Sequence, residues 1–232
     1  MSFTRARQLV AFAILGFVLL YKAQQPGPML ALGASAEGFP EHVTVTAAPV
    51  PNIYADKPDL RVLQLLSSMN AMWDGAFRAA GAEYERPRVE ARKRPSATGC
   101  GATAEGWSGI YCSRGKRIVI DISNQLVLRA AAGDDLADDM LGYVLAHEVG
   151  HHVQALRGRA LAGSTEEVLR GELHAQCLAG VWGRAAGRPL PPAWTYGVDA
   201  EHGTVEQQQR WLERGHAQGR PADCDGVWEE PL

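Results

Sequence analysis

Residues 147–151 read His-Glu-Val-Gly-His, the H-E-x-x-H pattern. Four residues are slightly more than one turn of an α-helix, so His147 and His151 project from one face and can converge on one tetrahedral metal ion. Glu148 points to the adjacent side of that face, where it can take a proton from a water at the metal without being a ligand. The pattern predicts a zinc site for hydrolysis.

A solvated polar helix face is the alternative interpretation of this pattern. Both histidines, however, fall on the apolar stripe that contains Leu136, Met140 and Val144, where unpaired imidazoles would be costly. His152 projects away by one helical step, and we do not expect it to be a ligand. Gly150 lowers helix propensity by about 1 kcal/mol, which is tolerable if a neighbour must approach that face closely.

A catalytic zinc has three protein ligands and one open position, so a third ligand is needed. Glu172 is the best placed because it lies in the middle of a predicted helix, with room for the first helix to end and for a return helix to lie alongside. From spacing alone, an exposed glutamate is an equally good interpretation. The candidates downstream of the motif are Glu166, Glu167, Glu172, His174 and His202.

Capping signals predict the helices that would hold these residues. The aspartates at 134–135 follow a glycine and offer an N-cap and favourable charge for the motif helix, which we expect to end near residues 157–158. Ser164 and Glu167 form a capping box that begins the second helix. A last helix is predicted to begin near Thr204, with Gln207 as its capping-box partner.

The remaining elements are a helix and a few strands. Apolar residues at three- and four-residue steps predict a helix over residues 59–81. Residues 84–98 are expected to form a solvated edge strand or loop, and the segments 110–112 and 117–122 form a predicted hairpin. The fold class is therefore α+β.

The N-terminal residues predict that the protein is attached to a membrane. Residues 1–22 combine two early arginines with the apolar run at 9–21, and the first small-x-small cleavage site lies far downstream at 34–36. We therefore expect an uncleaved single-pass anchor, with the positive end in the cytoplasm and the rest on the extracytoplasmic side, periplasmic or extracellular. Residues 23–58 form a Pro/Gly/Ala-rich linker, and 59–232 form the catalytic domain.

Composition excludes one large class of partner. The chain has 23 Lys and Arg against 26 Asp and Glu, a formal net charge of -3, and no long basic run beyond the first residues. We therefore expect no nucleic-acid binding, which needs a concentrated basic face. None of the four cysteines shows the C-x-x-C spacing of zinc ribbons or thioredoxin-like redox pairs.

Two blocks of the sequence resemble a known family. Residues 145–154, LAHEVGHHVQ, and 171–182, GELHAQCLAGVW, resemble the putative neutral zinc metallopeptidases, bacterial proteins with an N-terminal membrane segment. The resemblance covers roughly residues 59–228. Smaller blocks follow the family in the same order: Gly99–Gly101, Tyr111–Cys112, Ile120–Ile122, His202–Thr204, Glu206–Gln207, Arg210–Trp211 and Cys224–Asp225.

The resemblance implies a zincin-like fold, in which the motif helix packs with a second ligand helix and a small antiparallel sheet or hairpin. It implies one Zn²⁺ per chain, with His147, His151 and Glu172 as ligands and Glu148 as the general base. Related Glu-zincins carry an aspartate at the position of Gln176, where it orients a ligand histidine. An amide raises ligand basicity less, and losing such a partner typically costs about 10- to 100-fold in metal affinity or activity.

The function expected from these features is a membrane-tethered zinc metallopeptidase that hydrolyses peptides or unfolded proteins. The substrate would lie extended against an edge strand, with residues 117–122 as the candidate. Either His202 or Tyr196 would stabilise the oxyanion, with an ordinary loop residue as the alternative for each. The alternative function is a zinc-binding, catalytically weak or inactive homologue that acts as a membrane-tethered interaction module.

The order and spacing of the cysteines suggest two disulfides. Cys100 with Cys112 would close a small loop before the hairpin, and Cys177 with Cys224 would tie the second ligand helix to the C-terminal tail. Four buried free thiols are the alternative, and the expected oxidising compartment favours the disulfides.

Overall fold

The computed structural model describes residues 38–54, 56–93, 100, 108–159, 163–191 and 199–232. Its helices and small sheet confirm the α+β class. The elements are α1 (Pro58–Ala79), β1 (Arg88–Arg92), β2 (Gly109–Cys112), β3 (Arg117–Asp121), α2 (Ser123–Ala132), α3 (Asp134–Leu156), α4 (Thr165–Ala185), α5 (Val205–Gln218) and a 3-10 helix (Pro221–Trp228).

The sheet has three strands in the order β1-β3-β2. β2 and β3 form the predicted hairpin, and β1 is an edge strand as expected. β1 runs parallel to β3, however, so the sheet is mixed and not antiparallel. No tight turn joins β1 to β3, and its direction is therefore not constrained as in a hairpin. β3 is central, with Ile118, Val119 and Ile120 all buried.

The helix ends follow the capping signals at most positions. Both predicted capping boxes are formed, Ser164 with Glu167 at the start of α4 and Thr204 with Gln207 at the start of α5. The motif helix α3 differs in one respect. Gly133 is its N-cap residue, and the aspartates at 134–135 lie in the first turn. There they contribute favourable charge to the helix dipole without capping it.

The segment that the sequence assigns to the linker contributes to the core. Phe39 and Val43 are buried, and the ring of Phe39 lies 5.8 Å from that of Trp73 and 5.4 Å from that of Phe77. The apolar run at residues 9–21, where the sequence predicts an anchor, lies outside the described residues. Among the helices that are described, none is long and apolar enough to cross a membrane.

A buried charge network joins α1 to α3. Arg61 is 2% exposed, and its guanidinium donates to both carboxylate oxygens of Asp138, at 2.6 and 2.7 Å. Arg188, which follows α4, donates to the same carboxylate at 2.7 Å. Burial alone would raise the pKa of Asp138, but the hydrogen bonds from the two arginines outweigh it and lower this pKa.

Two close helix contacts and a disulfide fix α4. A Cβ atom added to Gly150 on α3 would lie 3.0 Å from the Cα atom of Ala175, so α3 and α4 touch at backbone distance. On its other side, Gly180 leaves no space for a side chain against the backbone of α5. The Cys177–Cys224 disulfide, with Cα atoms 5.6 Å apart, joins α4 to the 3-10 helix.

Candidate metal centre

Three side chains from two helices converge within one buried cluster. The Nε2 atoms of His147 and His151 on α3 are 3.0 Å apart, and Oε2 of Glu172 on α4 lies 3.1 and 3.2 Å from them. We call these residues the His–His–Glu cluster. Zinc bonds of about 2.0–2.1 Å in a tetrahedron separate ligand atoms by about 3.3 Å. The spacing of the cluster therefore suits a tetrahedral ion.

The hydrogen bonds behind the histidines set their tautomers. Nδ1 of His147 lies 3.0 Å from Oε1 of Gln176, and Nδ1 of His151 lies 3.0 Å from Oε1 of Gln154. Because each amide oxygen only accepts, each Nδ1 carries a hydrogen, and in the neutral form of each ring Nε2 directs a lone pair into the cluster. Together with the Glu172 carboxylate, three acceptors meet at one point, and a cation satisfies all three.

The charges of the cluster also favour a positive ion. Burial lowers the pKa of His151, but the carboxylates of Glu172 and Glu148 outweigh it and raise this pKa to about 9. Burial likewise would raise the pKa of Glu172, and the two histidines hold it well below its usual range. The second ring proton of His151 would lie on Nε2, where a metal ion binds, so metal binding must release this proton.

Glu148 follows the first histidine and lies under the edge strand. Its side chain is buried, and a Cβ atom added to Gly109 of β2 would lie 2.9 Å from both Cγ and Oε1 of Glu148. Glycine at this position lets the strand approach the carboxylate closely. Sequence reasoning missed Gly109, because the predicted strand began at residue 110 and a glycine signals close approach only when it lies within a strand.

His202 is near the cluster but is not part of it. Its Nε2 atom lies 3.9 Å from Oε2 of Glu172, and its Nδ1 atom is 2.9 Å from each carboxylate oxygen of Asp199. Asp199 therefore holds the hydrogen on Nδ1 and directs Nε2 towards the cluster. Sequence reasoning did not identify Asp199, which lies three residues before His202 in a loop. Tyr196, the other oxyanion candidate, lies outside the described residues.

Three other candidate ligands, and His152, which is not expected to be one, have different partners. Glu166 is exposed and pairs with Arg170, and Glu167 belongs to the capping box of α4. His174 is buried and bonds Gln154. His152 points away from the cluster, and its ring nitrogens contact the hydroxyl of Tyr111 at 3.1 Å and the carbonyl of Glu85 at 2.6 Å. None of these four residues contributes an atom to the cluster.

Both cysteine pairs expected from the sequence are joined in the structure. Cys100 bonds Cys112 at the end of β2, and Cys177 bonds Cys224. The first pair has Cα atoms 5.4 Å apart. Each disulfide holds an element next to the cluster, since β2 approaches Glu148 and α4 carries Glu172.

Comparisons with known proteins agree on one family. A family model described as "Putative neutral zinc metallopeptidase" matches residues 4–190. "Uncharacterized protein YpfJ" of Escherichia coli (strain K12) is 30% identical over 203 residues, which cover 69% of this chain and 68% of that protein. "Uncharacterized protein Rv2575" of Mycobacterium tuberculosis is 26% identical over 212 residues, covering 71% and 69%. No solved structure matches the chain significantly.

Proposed function

The chain belongs to the putative neutral zinc metallopeptidase family, and on that basis we propose that it is a membrane-tethered zinc metallopeptidase with a zincin-like fold. The observation that carries the proposal is the His–His–Glu cluster with Glu148 beside it. His147, His151 and Glu172 would hold one Zn²⁺, leaving the fourth position for water or substrate. When bound, the ion supplies a Lewis acid and a water of lowered pKa.

Glu148 is the general base in this proposal. Its side chain is buried, and the backbone of β2 approaches it closely at Gly109. It would take the proton of the attacking water and deliver it to the amine that leaves when the peptide bond breaks. The close approach of Gly109 keeps the carboxylate near the strand along which substrate would lie.

The substrate would be an extended peptide or an unfolded protein segment that pairs with β2. The sequence favoured residues 117–122 for this purpose, but β3 is the central strand and pairs on both sides, so its main chain cannot accept another strand. β2 is an edge strand and lies against Glu148. An edge strand binds a peptide through main-chain hydrogen bonds, which depend little on the side chains of the peptide.

His202 would stabilise the oxyanion that forms when water adds to the carbonyl. The Asp199 carboxylate accepts from Nδ1, so Nε2 is the atom that faces the cluster, and it would donate to the oxyanion when it carries a hydrogen. The ring is 27% exposed, and a substrate can therefore reach it. Tyr196 stays an alternative for this role.

The proposed location is the extracytoplasmic face of the membrane. Two disulfides in the described residues suit an oxidising compartment, and the apolar run at residues 9–21 would be the anchor. An unfolded or extended protein on that side would be the partner. The near-neutral net charge gives no reason to expect nucleic acid.

The test compares the full-length protein with Glu148→Gln, using Glu166→Gln as the matched control because Glu166 is exposed on α4. Zinc content and cleavage of an unstructured protein are measured. We expect one zinc per chain in all three proteins, with cleavage lost by about 10²- to 10⁴-fold only in Glu148→Gln.

Two outcomes would contradict the peptidase. If all three proteins bind zinc and none cleaves, the alternative of an inactive interaction module is favoured, and the neutral partner Gln176 behind His147 is the feature that points to it. If Glu148→Gln cleaves as fast as the unaltered protein, Glu148 is not the base.

A further inference from the structure

Behind His151, on the side of the ring away from Glu172, a line of polar side chains leads to the C-terminal segment. We propose that Gln154, His174 and Asp225 form a positioning relay that fixes the ring and tautomer of His151 and so sets the metal affinity of the cluster. The inference rests on the metal site of the proposed function, and it assigns residues that the site itself does not include.

The first step of the relay determines how Gln154 is oriented. Its Nε2 donates to the backbone carbonyl of Gly171 at 2.6 Å, so its Oε1 must face the Nδ1 atom of His151 at 3.0 Å. Gln154 is 2% exposed and lies on α3, whereas Gly171 belongs to α4. The amide therefore bridges the two ligand helices while it orients the histidine.

The second step fixes His174. The remaining hydrogen of Gln154 Nε2 points to Nδ1 of His174 at 3.1 Å, and this nitrogen must accept it. The ring hydrogen of His174 then lies on Nε2, which is 3.6 Å from Oδ1 of Asp225. His174 is 5% exposed and packs against Trp228. Each hydrogen in the series therefore points outward, from His151 through Gln154 and His174 towards the carboxylate of Asp225.

The outer end of the relay is held in place. Asp225 follows Cys224, which is bonded to Cys177 of α4. Its carboxylate also leaves no space for a side chain at Gly38, the first described residue. A carboxylate so confined keeps His174 in one tautomer, and His174 in turn keeps Gln154 from rotating. Rotation of that amide would present Nε2 to His151 and turn the ring hydrogen into the cluster.

Two substitutions at Gln154 separate positioning from packing. Gln154→Met keeps the length of the side chain and removes its hydrogen bonds, while Gln154→Glu keeps an acceptor for His151 and loses the donor to Gly171. Both should lower the free energy of unfolding of the full-length protein. Only Gln154→Met should weaken zinc binding, by about 10- to 100-fold, as measured by competition with a chromophoric chelator.

Two aspartates of the 3-10 helix provide the matched pair for the outer end. Asp225→Asn removes the charge that faces His174, and we expect a smaller loss of zinc affinity in the same direction. Asp223 accepts from Arg220, the residue just before the same helix, so Asp223→Asn should leave zinc affinity unchanged. Nitrogen NMR of labelled histidines in the zinc-bound protein should show the Nδ1 hydrogen of His151 in a hydrogen bond in the unaltered protein and without that hydrogen bond in Gln154→Met.

Each other outcome overturns the proposal. Equal zinc affinities for Gln154→Met and Gln154→Glu, or for the two aspartate variants, would show that these residues contribute to packing but do not set the metal affinity. If the relay variants bind zinc like the unaltered protein while Glu148→Gln still abolishes cleavage, only the relay fails. If the unaltered protein binds no zinc, the proposed function and the relay fail together.

Discussion

Gly150 is the position at which one methyl group should disturb both the stability and the metal site. It lies on α3 next to His151, and a Cβ atom there would be 3.0 Å from Cα and 3.1 Å from the carbonyl oxygen of Ala175 on α4. Carbon atoms pack best at about 3.5–4.0 Å, so α4 would have to retreat by about 0.5 Å. The disulfide of Cys177 and the close contact at Gly180 oppose that movement.

Two terms of opposite sign decide the effect of Gly150→Ala on the free energy of unfolding. Alanine gains about 1 kcal/mol over glycine in the interior of a helix, and overpacking a tight contact costs about 1–3 kcal/mol. The net effect is a loss of about 0–2 kcal/mol. Because α4 carries Glu172, its retreat also lengthens the distances from the carboxylate to the two histidines, and we expect weaker zinc binding.

Gly75→Ala is the matched control, because a Cβ atom at that position in α1 has nothing within 4 Å. It should stabilise the protein by about 0.5–1 kcal/mol. Urea unfolding of the full-length proteins, followed by tryptophan fluorescence with a chelator present, measures the free energy of unfolding of both variants. Competition with a chelator measures their zinc affinity. If Gly150→Ala stabilises the protein as much as Gly75→Ala does and leaves zinc affinity unchanged, the inference that α3 and α4 leave no room for a methyl group at this position is refuted.

Three further experiments test the partner of His147, the buried charge network and the disulfide of α4. Gln176→Ala should weaken zinc binding by about 10- to 100-fold and Gln176→Glu should not, as measured by chelator competition; equal losses would refute the role of its oxygen. Asp138 is paired with two arginines and its pKa is lowered, so its contribution to stability is present above about pH 4 and is lost as the pH falls through its folded-state pKa. The stability of Asp138→Asn, measured by urea unfolding at several pH values, should therefore fall less between pH 4 and lower pH than that of the unaltered protein. Replacing Cys177 and Cys224 by serine opens a loop of 47 residues and should lower the free energy of unfolding by about 4 kcal/mol, and an unchanged urea midpoint would contradict it.

Local signals in the sequence predicted the parts of the structure that local interactions decide. The capping boxes at Ser164 and Thr204 depend on residues three positions apart, and both form. The i, i+4 spacing of His147 and His151 likewise needs only a helix to bring the imidazoles to one face. For Glu172, spacing left two interpretations equal, since only the packing of α4 on α3 brings it to the histidines.

Features that depend on distant contacts were not predicted. The parallel direction of β1 is set by its pairing with β3, which is distant in the sequence, and no short turn in the sequence indicates it. Phe39 reads as part of a Pro/Gly/Ala-rich stretch, yet it packs between aromatic rings of α1. The helix α2 (Ser123–Ala132) was also not predicted, and of its residues only Gln125 is buried.

The two ligand histidines share a feature that bears on the strength of the site. Both are held at Nδ1 by an amide, Gln176 for His147 and Gln154 for His151, where a carboxylate would make the ring a stronger donor. Neutral partners also avoid placing two more negative charges beside Glu148 and Glu172, which are both buried or nearly so. With a divalent ion bound, these two carboxylates already balance its charge. Carboxylates behind both rings would leave a net negative charge in a dehydrated site, which is costly, and amides orient the rings without that cost.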